Sequence, residues 1–409
     1  MSALDLVTLE DVQAAQKLLS GVVRHTPLEP SRPLTAALGG PAWLKCENLQ
    51  RAGSYKVRGA YVRIARLAEA ERARGVVAAS AGNHAQGVAL AASILGTSAT
   101  VFMPVGAALP KVAATKGYGA RVQLTGASID EALVAAQEYA EMTGAVFIHP
   151  FDHPDVIAGQ GTVAMEILEQ CPDVRTIVAG IGGGGLISGI AVAAKALRPD
   201  VRVVGVQAAS ADSFVQSLAA GHPVRLATLA TIADGIAVGC PGDLTFAHVS
   251  KLVDEVVTVT EEDISRALLM LLERNKLVVE PAGTVGVAAL LAGAVRVPTP
   301  AVAVLTGGNI DPLLLLRVIE HGLTAAGRHL RLTVRCGDRP GELAQLLTLI
   351  GEQGANVVDV AHRRHDPGLN LGEVEVDLSV ETRGEEHSDR LIGALGDAGY
   401  AFSPRTARS

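Results

Sequence analysis

Aromatic residues are scarce in this sequence of 409 residues, and its few cysteines are far apart. Phe, Trp and Tyr make up only 3% of the chain, so its interior must be built largely from Ala, Val, Leu and Ile. The cysteines occur singly and without paired His residues, which argues against a disulfide framework and against a structural zinc site. We interpret each as a small buried hydrophobic residue. They are Cys46, Cys171, Cys240 and Cys336.

Long basic runs and long apolar runs are also missing. The formal net charge is -7, and without a basic run the electrostatic footprint of a nucleic-acid-binding protein is absent. No apolar stretch reaches the ~20 residues that cross a bilayer, and the first residues do not follow the pattern of a signal peptide. The sequence therefore predicts a cytoplasmic protein that binds a small molecule, with neither nucleic acid nor a membrane as partner.

The sequence does contain short apolar runs that alternate with Ala-rich helical segments. Hydrophobic residues make up 49% of the chain and charged residues 19%, which is typical of soluble α/β proteins with parallel strands buried on both faces. This alternation predicts a mostly parallel sheet, with ligands bound at the carboxyl ends of its strands. The predicted strands are 76–80, 99–104, 121–124, 176–179, 201–206 and 301–305.

The pattern changes after the small, polar segment 322–328. From residue 330 onward, a strand, a helix, two strands, a helix and a last strand predict a ferredoxin-like unit of roughly seventy residues. We therefore predict two domains, residues 1–326 and residues 327–409, with a smaller lobe of the first at roughly 45–155.

Two polar segments are candidates for a site. The first, 54–60, reads Ser-Tyr-Lys-Val-Arg-Gly-Ala, and taken alone its Lys56 is more often a solvated lysine at a helix start. The second closes a predicted strand and opens a helix, where free backbone N–H groups favour a carboxylate or a phosphate. Taken alone, it is also compatible with a capped turn. Its residues are Ser80, Ala81, Gly82, Asn83 and His84.

Consecutive glycines follow the predicted strand 176–179 and precede a helical segment. Because Gly loses more backbone freedom on folding than any other residue, such a run indicates a backbone that approaches a ligand closely. A glycine nest at a helix N-terminus suits a phosphate, and the dinucleotide fingerprint is not matched. A fourth segment, which includes Thr306, ends the strand 301–305. The glycine run is Gly182, Gly183, Gly184 and Gly185, followed by Leu186.

Together and in this order, the four segments resemble the tryptophan-synthase-like (fold type II) pyridoxal-phosphate enzymes, and among them the threonine ammonia-lyases, or threonine dehydratases. The resemblance covers nearly all of residues 5–322 and includes the segments 157–162 and 280–283. It implies a two-lobed catalytic domain built on parallel sheets, with pyridoxal 5'-phosphate as cofactor.

The resemblance implies a role for each matching residue. Lys56 would form the Schiff base and act as the catalytic base, which burial promotes because it favours the neutral amine. Asn83 would hydrogen-bond the phenolic oxygen of the cofactor, residues 182–186 would hold its phosphate, and Thr306 would face its pyridine nitrogen. A neutral hydroxyl at the last position suits elimination of a β-substituent. The turn 80–84 would receive the substrate carboxylate.

Two departures from the family refine the expected substrate. Serine racemases of this family have a second catalytic Ser where this chain has Ala81, so dehydration is favoured over racemisation. Ile129 lies where dicarboxylate- or serine-selective relatives present an Arg. We expect dehydration of L-threonine to 2-oxobutanoate and ammonia, with L-serine as a side substrate. A serine racemase/dehydratase and a threo-3-hydroxyaspartate ammonia-lyase remain alternatives.

A metal site is not expected. Some relatives bind a divalent cation through a Glu and an Asp after the strand 201–206. At these positions this chain has Gln207 and Ser213, with Asp212 one place away.

The C-terminal unit resembles the ACT domain, a small fold that senses amino acids. The match places an amino-acid effector such as isoleucine or valine near Asp338, Gly341 and Asn356. A purely structural dimerisation module is the alternative, because exposed strands pair readily across subunits. We expect a homodimer or a homotetramer. A non-catalytic amino-acid sensor is the rival hypothesis from another functional class.

Overall fold

The computed structural model of this chain describes residues 5–364 and 369–404. It divides into two compact units, Met1–Leu315 and Leu316–Ser409, and the division falls within the helix Pro312–Ala325. The predicted domain limits, 1–326 and 327–409, stay predictions. None of the helices in the described ranges is both long and apolar enough to span a membrane.

The strands and helices are numbered separately along the chain. The strands are β1 (Leu28–Pro30), β2 (Ala42–Lys45), β3 (Val76–Ala79), β4 (Ala99–Met103), β5 (Arg121–Leu124), β6 (Val146–Phe147), β7 (Thr176–Gly180), β8 (Arg202–Ala208), β9 (Glu255–Val259), β10 (Ala301–Val304), β11 (His329–Gly337), β12 (Asn356–Arg363), β13 (Glu373–Glu381) and β14 (Ala401–Pro404). The helices are α1 (Leu9–Leu19), α2 (Arg32–Leu38), α3 (Lys56–Ala65), α4 (Glu69–Ala73), α5 (Asn83–Ile94), α6 (Leu109–Gly117), α7 (Ile129–Thr143), α8 (Pro154–Gln170), α9 (Gly185–Leu197), α10 (Ser213–Ala220), α11 (Asp243–Leu252), α12 (Glu261–Met270), α13 (Pro281–Leu291), α14 (Pro312–Ala325), α15 (Glu342–Glu352) and α16 (Glu385–Asp397).

The larger sheet of the first unit has the strand order β1-β2-β10-β7-β8-β9 among the residues described. Its strands are parallel, except that β1 pairs with β2 in the antiparallel direction. Every residue of β7 and β10 is buried, because helices cover both faces of the sheet. Two buried clusters of aliphatic side chains form the core on its faces.

The smaller sheet of the first unit has the order β5-β4-β3-β6, and its strands are all parallel. Helices α3 and α5 pack against each other, and α5 also packs on β3 and β4. The side chains of this lobe are mostly Ala and Val, as the low aromatic content requires. The prediction of an α/β fold with parallel sheets is confirmed.

A buried group of charged side chains anchors α3. The Arg58 guanidinium donates to both carboxylate oxygens of Glu47 at 2.8 Å and to Glu166 at 2.6 Å, and Lys45 donates to Glu166 at 2.6 Å. The arginine is only 1% exposed, and its fork geometry suits a bidentate carboxylate. Since Lys56 precedes Arg58 by two residues, this group also fixes the start of α3.

The second unit is an antiparallel sheet with the order β12-β13-β11-β14 in the part of the chain that the structure describes. Helices α15 and α16 contribute Leu346, Ile350, Leu391 and Leu395 to its buried core. The ferredoxin-like order of strands and helices predicted from the sequence is confirmed.

Candidate active site

A cavity of about 810 Å³ opens in the first unit at the carboxyl ends of strands from both sheets. This volume lies within the usual range for cofactor and small-ligand sites. The cavity is lined by Lys56, the turn 80–84, the glycine run 182–186 and Thr306. The structure therefore brings together all the site residues that the sequence predicted for this unit.

Lys56 is the first residue of α3 and points into the cavity, where its Nζ donates to the Pro150 carbonyl at 2.9 Å. Just before it, the Tyr55 N–H donates to the Thr306 carbonyl at 3.2 Å, which ties the helix start to the end of β10. Burial lowers the pKa of the Lys56 ammonium to about 8, and the Glu280 carboxylate opposes this shift. A sizeable fraction of the amine is thus neutral near physiological pH.

His149 shapes the loop that holds the Pro150 carbonyl. Its Nδ1 accepts from the Asp152 N–H at 2.8 Å and from the Phe151 N–H at 3.3 Å. Burial lowers the pKa of the His149 imidazole to about 4, so the ring is neutral and can accept these bonds. His149 lies in a loop, and this loop contributes to the site through its backbone.

The glycine run forms the turn between β7 and α9. Gly184 adopts the left-handed region at φ +90°, which favours glycine. Its neighbours also exclude side chains, since a Cβ on Gly182 would lie 2.9 Å from the Ile236 Cα and one on Gly185 3.0 Å from the Phe151 carbonyl. The first N–H groups of α9 have no acceptor within the helix and face this turn. The arrangement suits an anion with several oxygens.

The turn after β3 leads into α5, which begins at Asn83. Ser80 stabilises the turn by accepting the Gly82 N–H at 3.2 Å. The His84 ring is only 3% exposed and bonds the Ile148 carbonyl at 2.8 Å through Nε2. Burial, with Lys56 as a second cause, lowers the pKa of His84 to about 3, so the ring is neutral. Its side chain is committed to the protein, and only its backbone is left for a substrate carboxylate.

Two polar side chains that we had not assigned to the site contact Asn83. Its Nδ2 donates to Glu280 Oε1 at 2.5 Å, and its Oδ1 accepts from Asn309 Nδ2 at 2.8 Å. Burial raises the pKa of the Glu280 carboxyl to about 7, and the negative charge of Asp234 adds to the rise. The signal for Glu280 was present in the motif 280–283, where a lone acid precedes the Pro281 that starts α13.

The rim of the cavity also contains an ion pair that the sequence did not indicate. Lys111 on α6 donates to Asp234 at 2.6 Å and so joins the smaller lobe to a short 3₁₀ helix, Asp234–Ile236, of the larger one. Ile129, at the start of α7, lines the same cavity with an apolar side chain.

The residues at the metal-binding positions of some relatives make contacts within the protein here. Gln207 Oε1 accepts from the Phe214 N–H at 2.9 Å and the Val215 N–H at 3.3 Å, which caps α10. Its Nε2 lies 3.5 Å from Ser213 Oγ. In residues 5–364 and 369–404, no cluster of three His, Cys, Asp or Glu residues suited to a metal ion is found.

The predicted effector residues of the second unit occupy loop and strand ends. Asp338 pairs with Arg364 at 3.3 Å, and Gly341 precedes α15 with φ +94°. Asn356 begins β12 and donates to Glu381 at 3.3 Å. Their role in binding an effector stays a prediction.

Comparison with known families identifies the two units. The family described as pyridoxal-phosphate dependent enzyme matches residues 19–307, and the ACT domain matches residues 330–398. The chain belongs to the pyridoxal-phosphate-dependent enzymes. The predicted enzyme class, cofactor and ACT domain are thereby confirmed.

Two known relatives resemble the chain over both units, and a solved structure resembles most of it. An L-threonine ammonia-lyase of Thermotoga maritima is 50% identical over 97% of this chain and 98% of its own length. One of Geobacter sulfurreducens is 48% identical over 95% of this chain and 97% of its own. Among solved structures, maize serine racemase aligns with a TM-score of 0.74 at 38% identity, and it covers 78% of this chain and 99% of its own.

The residues of the cavity fit pyridoxal phosphate. The glycine turn presents bare backbone at the cavity wall, because packing against Ile236 and Phe151 excludes side chains at Gly182 and Gly185. The same cavity contains the Lys56 amine, whose pKa is lowered toward neutrality, which is the property an imine-forming lysine needs. These residues would hold the phosphate and the reactive carbon of the cofactor.

Proposed function

We propose that this chain is a threonine ammonia-lyase that converts L-threonine to 2-oxobutanoate and ammonia, with L-serine as a side substrate. The observation that carries the proposal is that Lys56, an amine with a lowered pKa, lies in the same cavity as the glycine turn before α9 and the turn before α5. Both turns are suited to bind anions. The relatives of Thermotoga maritima and Geobacter sulfurreducens, each named L-threonine ammonia-lyase, support this choice of reaction.

Two helix starts divide the binding of anions between cofactor and substrate. Residues 182–186, before and in the first turn of α9, would hold the cofactor phosphate, and the turn 80–84 before α5 would receive the substrate carboxylate. Asn83 would donate to the phenolic oxygen of the cofactor, and Thr306 would face its pyridine nitrogen. Both lie in the cavity with Lys56.

The reaction requires a base beside the α-carbon of the substrate. When bound, pyridoxal phosphate draws electrons away from this carbon. Lys56 then removes the α-proton, since its lowered pKa makes a neutral amine available at little cost. The β-hydroxyl takes up a proton and leaves as water, and this proton is balanced by the α-proton that Lys56 has removed. The unsaturated product then takes up water and releases ammonia. The net change is threonine to 2-oxobutanoate plus ammonia.

The side chains near the turn favour dehydration of a small substrate. Ala81 provides no hydroxyl that could return a proton from the other face, which disfavours racemisation. Ile129 lines the cavity with an apolar side chain that can contact the threonine methyl but cannot pair with a second carboxylate. These two residues argue against the serine racemase and hydroxyaspartate alternatives.

Release of 2-oxo acid from three substrates tests the proposal. Purified protein with and without added pyridoxal phosphate is given L-threonine, L-serine or threo-3-hydroxyaspartate, and D-serine is measured in parallel. We expect cofactor-dependent release that is fastest with threonine. Release from hydroxyaspartate alone, or dominant formation of D-serine, would replace the proposed substrate. A colourless protein without activity would favour the amino-acid sensor.

A further inference from the structure

The hydrogen bonds of Asn83 fix which end of its amide faces which neighbour. Its Oδ1 accepts from Asn309 Nδ2 at 2.8 Å, and its Nδ2 donates to Glu280 Oε1 at 2.5 Å. An amide nitrogen has two N–H donors, and within residues 5–364 and 369–404 the second N–H of Asn83 has no hydrogen-bond partner. Since Asn83 lines the cavity, this N–H is available to a ligand there.

The direction of the Asn83 amide is set by a main-chain carbonyl. Asn309 Nδ2 donates to the Ala52 carbonyl at 2.7 Å as well as to Asn83. A carbonyl only accepts hydrogen bonds, so the amide nitrogen of Asn309 must face Ala52. The second N–H of this nitrogen points to Asn83, where the acceptor it needs is the amide oxygen. The nitrogen of Asn83 is then left to face Glu280.

The backbone around the chain of hydrogen bonds from Ala52 through Asn309 to Asn83 leaves room for the two asparagine side chains. Ala52 adopts φ +58°, a left-handed conformation that is uncommon for a residue with a Cβ and often marks functional sites. Gly53 follows at φ +68°, and a Cβ there would overlap the Asn309 side chain. A Cβ on Gly307 would lie 2.8 Å from Asn83 Nδ2. One strained residue and two glycines therefore make room for the two asparagines.

We propose that Asn309 is a positioning residue that relays the direction of the Ala52 carbonyl to Asn83, so that Asn83 presents an N–H to the phenolic oxygen of the cofactor. Glu280 completes the arrangement because it accepts the other N–H. The inference rests on the proposed function, which makes pyridoxal phosphate the ligand of Asn83. A donated N–H stabilises negative charge on the phenolic oxygen, whereas an amide oxygen at the same place would repel it.

The isosteric change Asn309→Asp tests the relay. Aspartate has no N–H for Ala52, and its carboxylate attracts the nitrogen of Asn83, which turns the Asn83 oxygen toward the cofactor. We expect the visible absorption maximum of the bound cofactor to shift. We also expect the dissociation constant for pyridoxal phosphate to rise roughly tenfold, the size of one charge-assisted hydrogen bond. Both are read from a spectrophotometric titration of the apoprotein.

A double-mutant cycle separates positioning from a general loss of structure. In an Asn83→Ala background, Asn309→Asp should leave the spectrum and the dissociation constant unchanged, because Asn309 acts only through Asn83. If Asn309→Asp does not fold, Asn309→Ala takes its place. It removes the donors without adding charge, so the shift in the spectrum and the rise in the dissociation constant should be smaller than those expected for Asn309→Asp.

Asn48→Asp is the matched control. Asn48 is buried, at 7% exposure, whereas Asn309 is half-buried, and Asn48 Nδ2 donates to the Val278 carbonyl at 3.1 Å, so the same change there removes a similar amide-to-carbonyl bond. We expect lower stability but an unaltered spectrum. An unchanged spectrum with Asn309→Asp, or an equal shift with Asn48→Asp, would overturn the inference. A wild-type protein that forms no coloured complex would instead refute the proposed function.

Discussion

Two helices, one in each unit, begin after a glycine of nearly the same conformation but in different surroundings. Gly184 before α9 has φ +90°, and Gly341 before α15 has φ +94°. A Cβ on Gly184 would lie 2.6 Å from the Phe214 ring and 2.9 Å from the Thr245 Cβ, whereas one on Gly341 would meet nothing within 4 Å. The backbone requires glycine at both places, but packing requires it only at Gly184.

Ion pairs in the two units also differ in how deeply they are buried. Arg58 in the first unit is 1% exposed and bound to two carboxylates, whereas Arg331 in the second is 39% exposed and pairs with Glu320 at 3.1 Å. A desolvated charge depends on its partners, and a solvated charge does not. The first unit thus fixes its site by buried polar contacts, while the candidate residues of the second lie at a more exposed surface.

Loss of the buried arginine should have the largest effect on stability. Arg58→Leu leaves Glu47 and Glu166 without this partner, and breaking a buried pair costs about 3–5 kcal/mol. Arg331→Leu, the matched change at the exposed pair, should cost at most about 1 kcal/mol. Urea unfolding followed by circular dichroism measures both, and fluorescence of Trp43, the single tryptophan, reports on the first unit. Equal losses would contradict the comparison.

Alanine at the two glycines should separate backbone strain from packing. Gly341→Ala should cost about 1–3 kcal/mol because of its positive φ alone. Gly184→Ala adds contacts with Phe214 and Thr245 that are too close, and overpacking adds about 1–3 kcal/mol. Only Gly184→Ala should also weaken pyridoxal phosphate binding, by at least about tenfold. Thermal unfolding of the apoproteins and titration with the cofactor provide the two measurements, and weaker binding in Gly341→Ala would count against this account.

Uptake of the cofactor should depend on pH through the Lys56 amine. Burial lowers the pKa of Lys56 to about 8, and only the neutral amine forms an imine. Below that pKa, the neutral fraction of the amine increases about tenfold for each unit by which the pH rises. The initial rate of cofactor uptake should therefore rise about tenfold per pH unit and level off above pH 8. The visible absorbance after mixing apoprotein with pyridoxal phosphate measures this rate. A rate that still rises steeply toward pH 10 would indicate an ordinary lysine.

The smallest effect is expected at the ACT domain. Isoleucine or valine should change threonine turnover or raise the melting temperature by a few degrees, and Asp338→Ala should abolish the response. Asp359→Ala, at another exposed acid of this unit, is the control and should retain it. If neither amino acid changes activity or melting temperature, the domain is better explained as a dimerisation module.

Most of the fold could be predicted because its strands are short apolar runs closed by small residues. The strands that escaped prediction are at or near the edges of the two sheets of the first unit, β1, β2 and β9 in the larger sheet and β6 in the smaller one, where burial is less uniform. Lys45 in β2 is an example, since its charge is buried only because Glu166, 121 residues later, pairs with it. Helix α14 also continues to Ala325, into the segment that we interpreted as polar, and Gly322 is buried within it.

The candidate site was predictable where unusual sequence marks it. The glycine run, Lys56 and the turn 80–84 stand out locally, and the structure gathers them in one cavity. Asn309 belongs to the fourth segment, but the sequence assigns no role to it or to the pair Lys111–Asp234, because their contacts join residues that are 226 and 123 positions apart. The roles of the individual residues toward cofactor and substrate stay predictions.

The most direct test of the central claim is 2-oxobutanoate release from L-threonine by the wild-type holoprotein and by Lys56→Ala. Lys17→Ala, at an exposed lysine of α1, is the control for the loss of a positive charge. We predict cofactor-dependent release that falls by at least about a thousandfold in Lys56→Ala and is unchanged in Lys17→Ala. Release that persists in Lys56→Ala would contradict the assignment of the catalytic base.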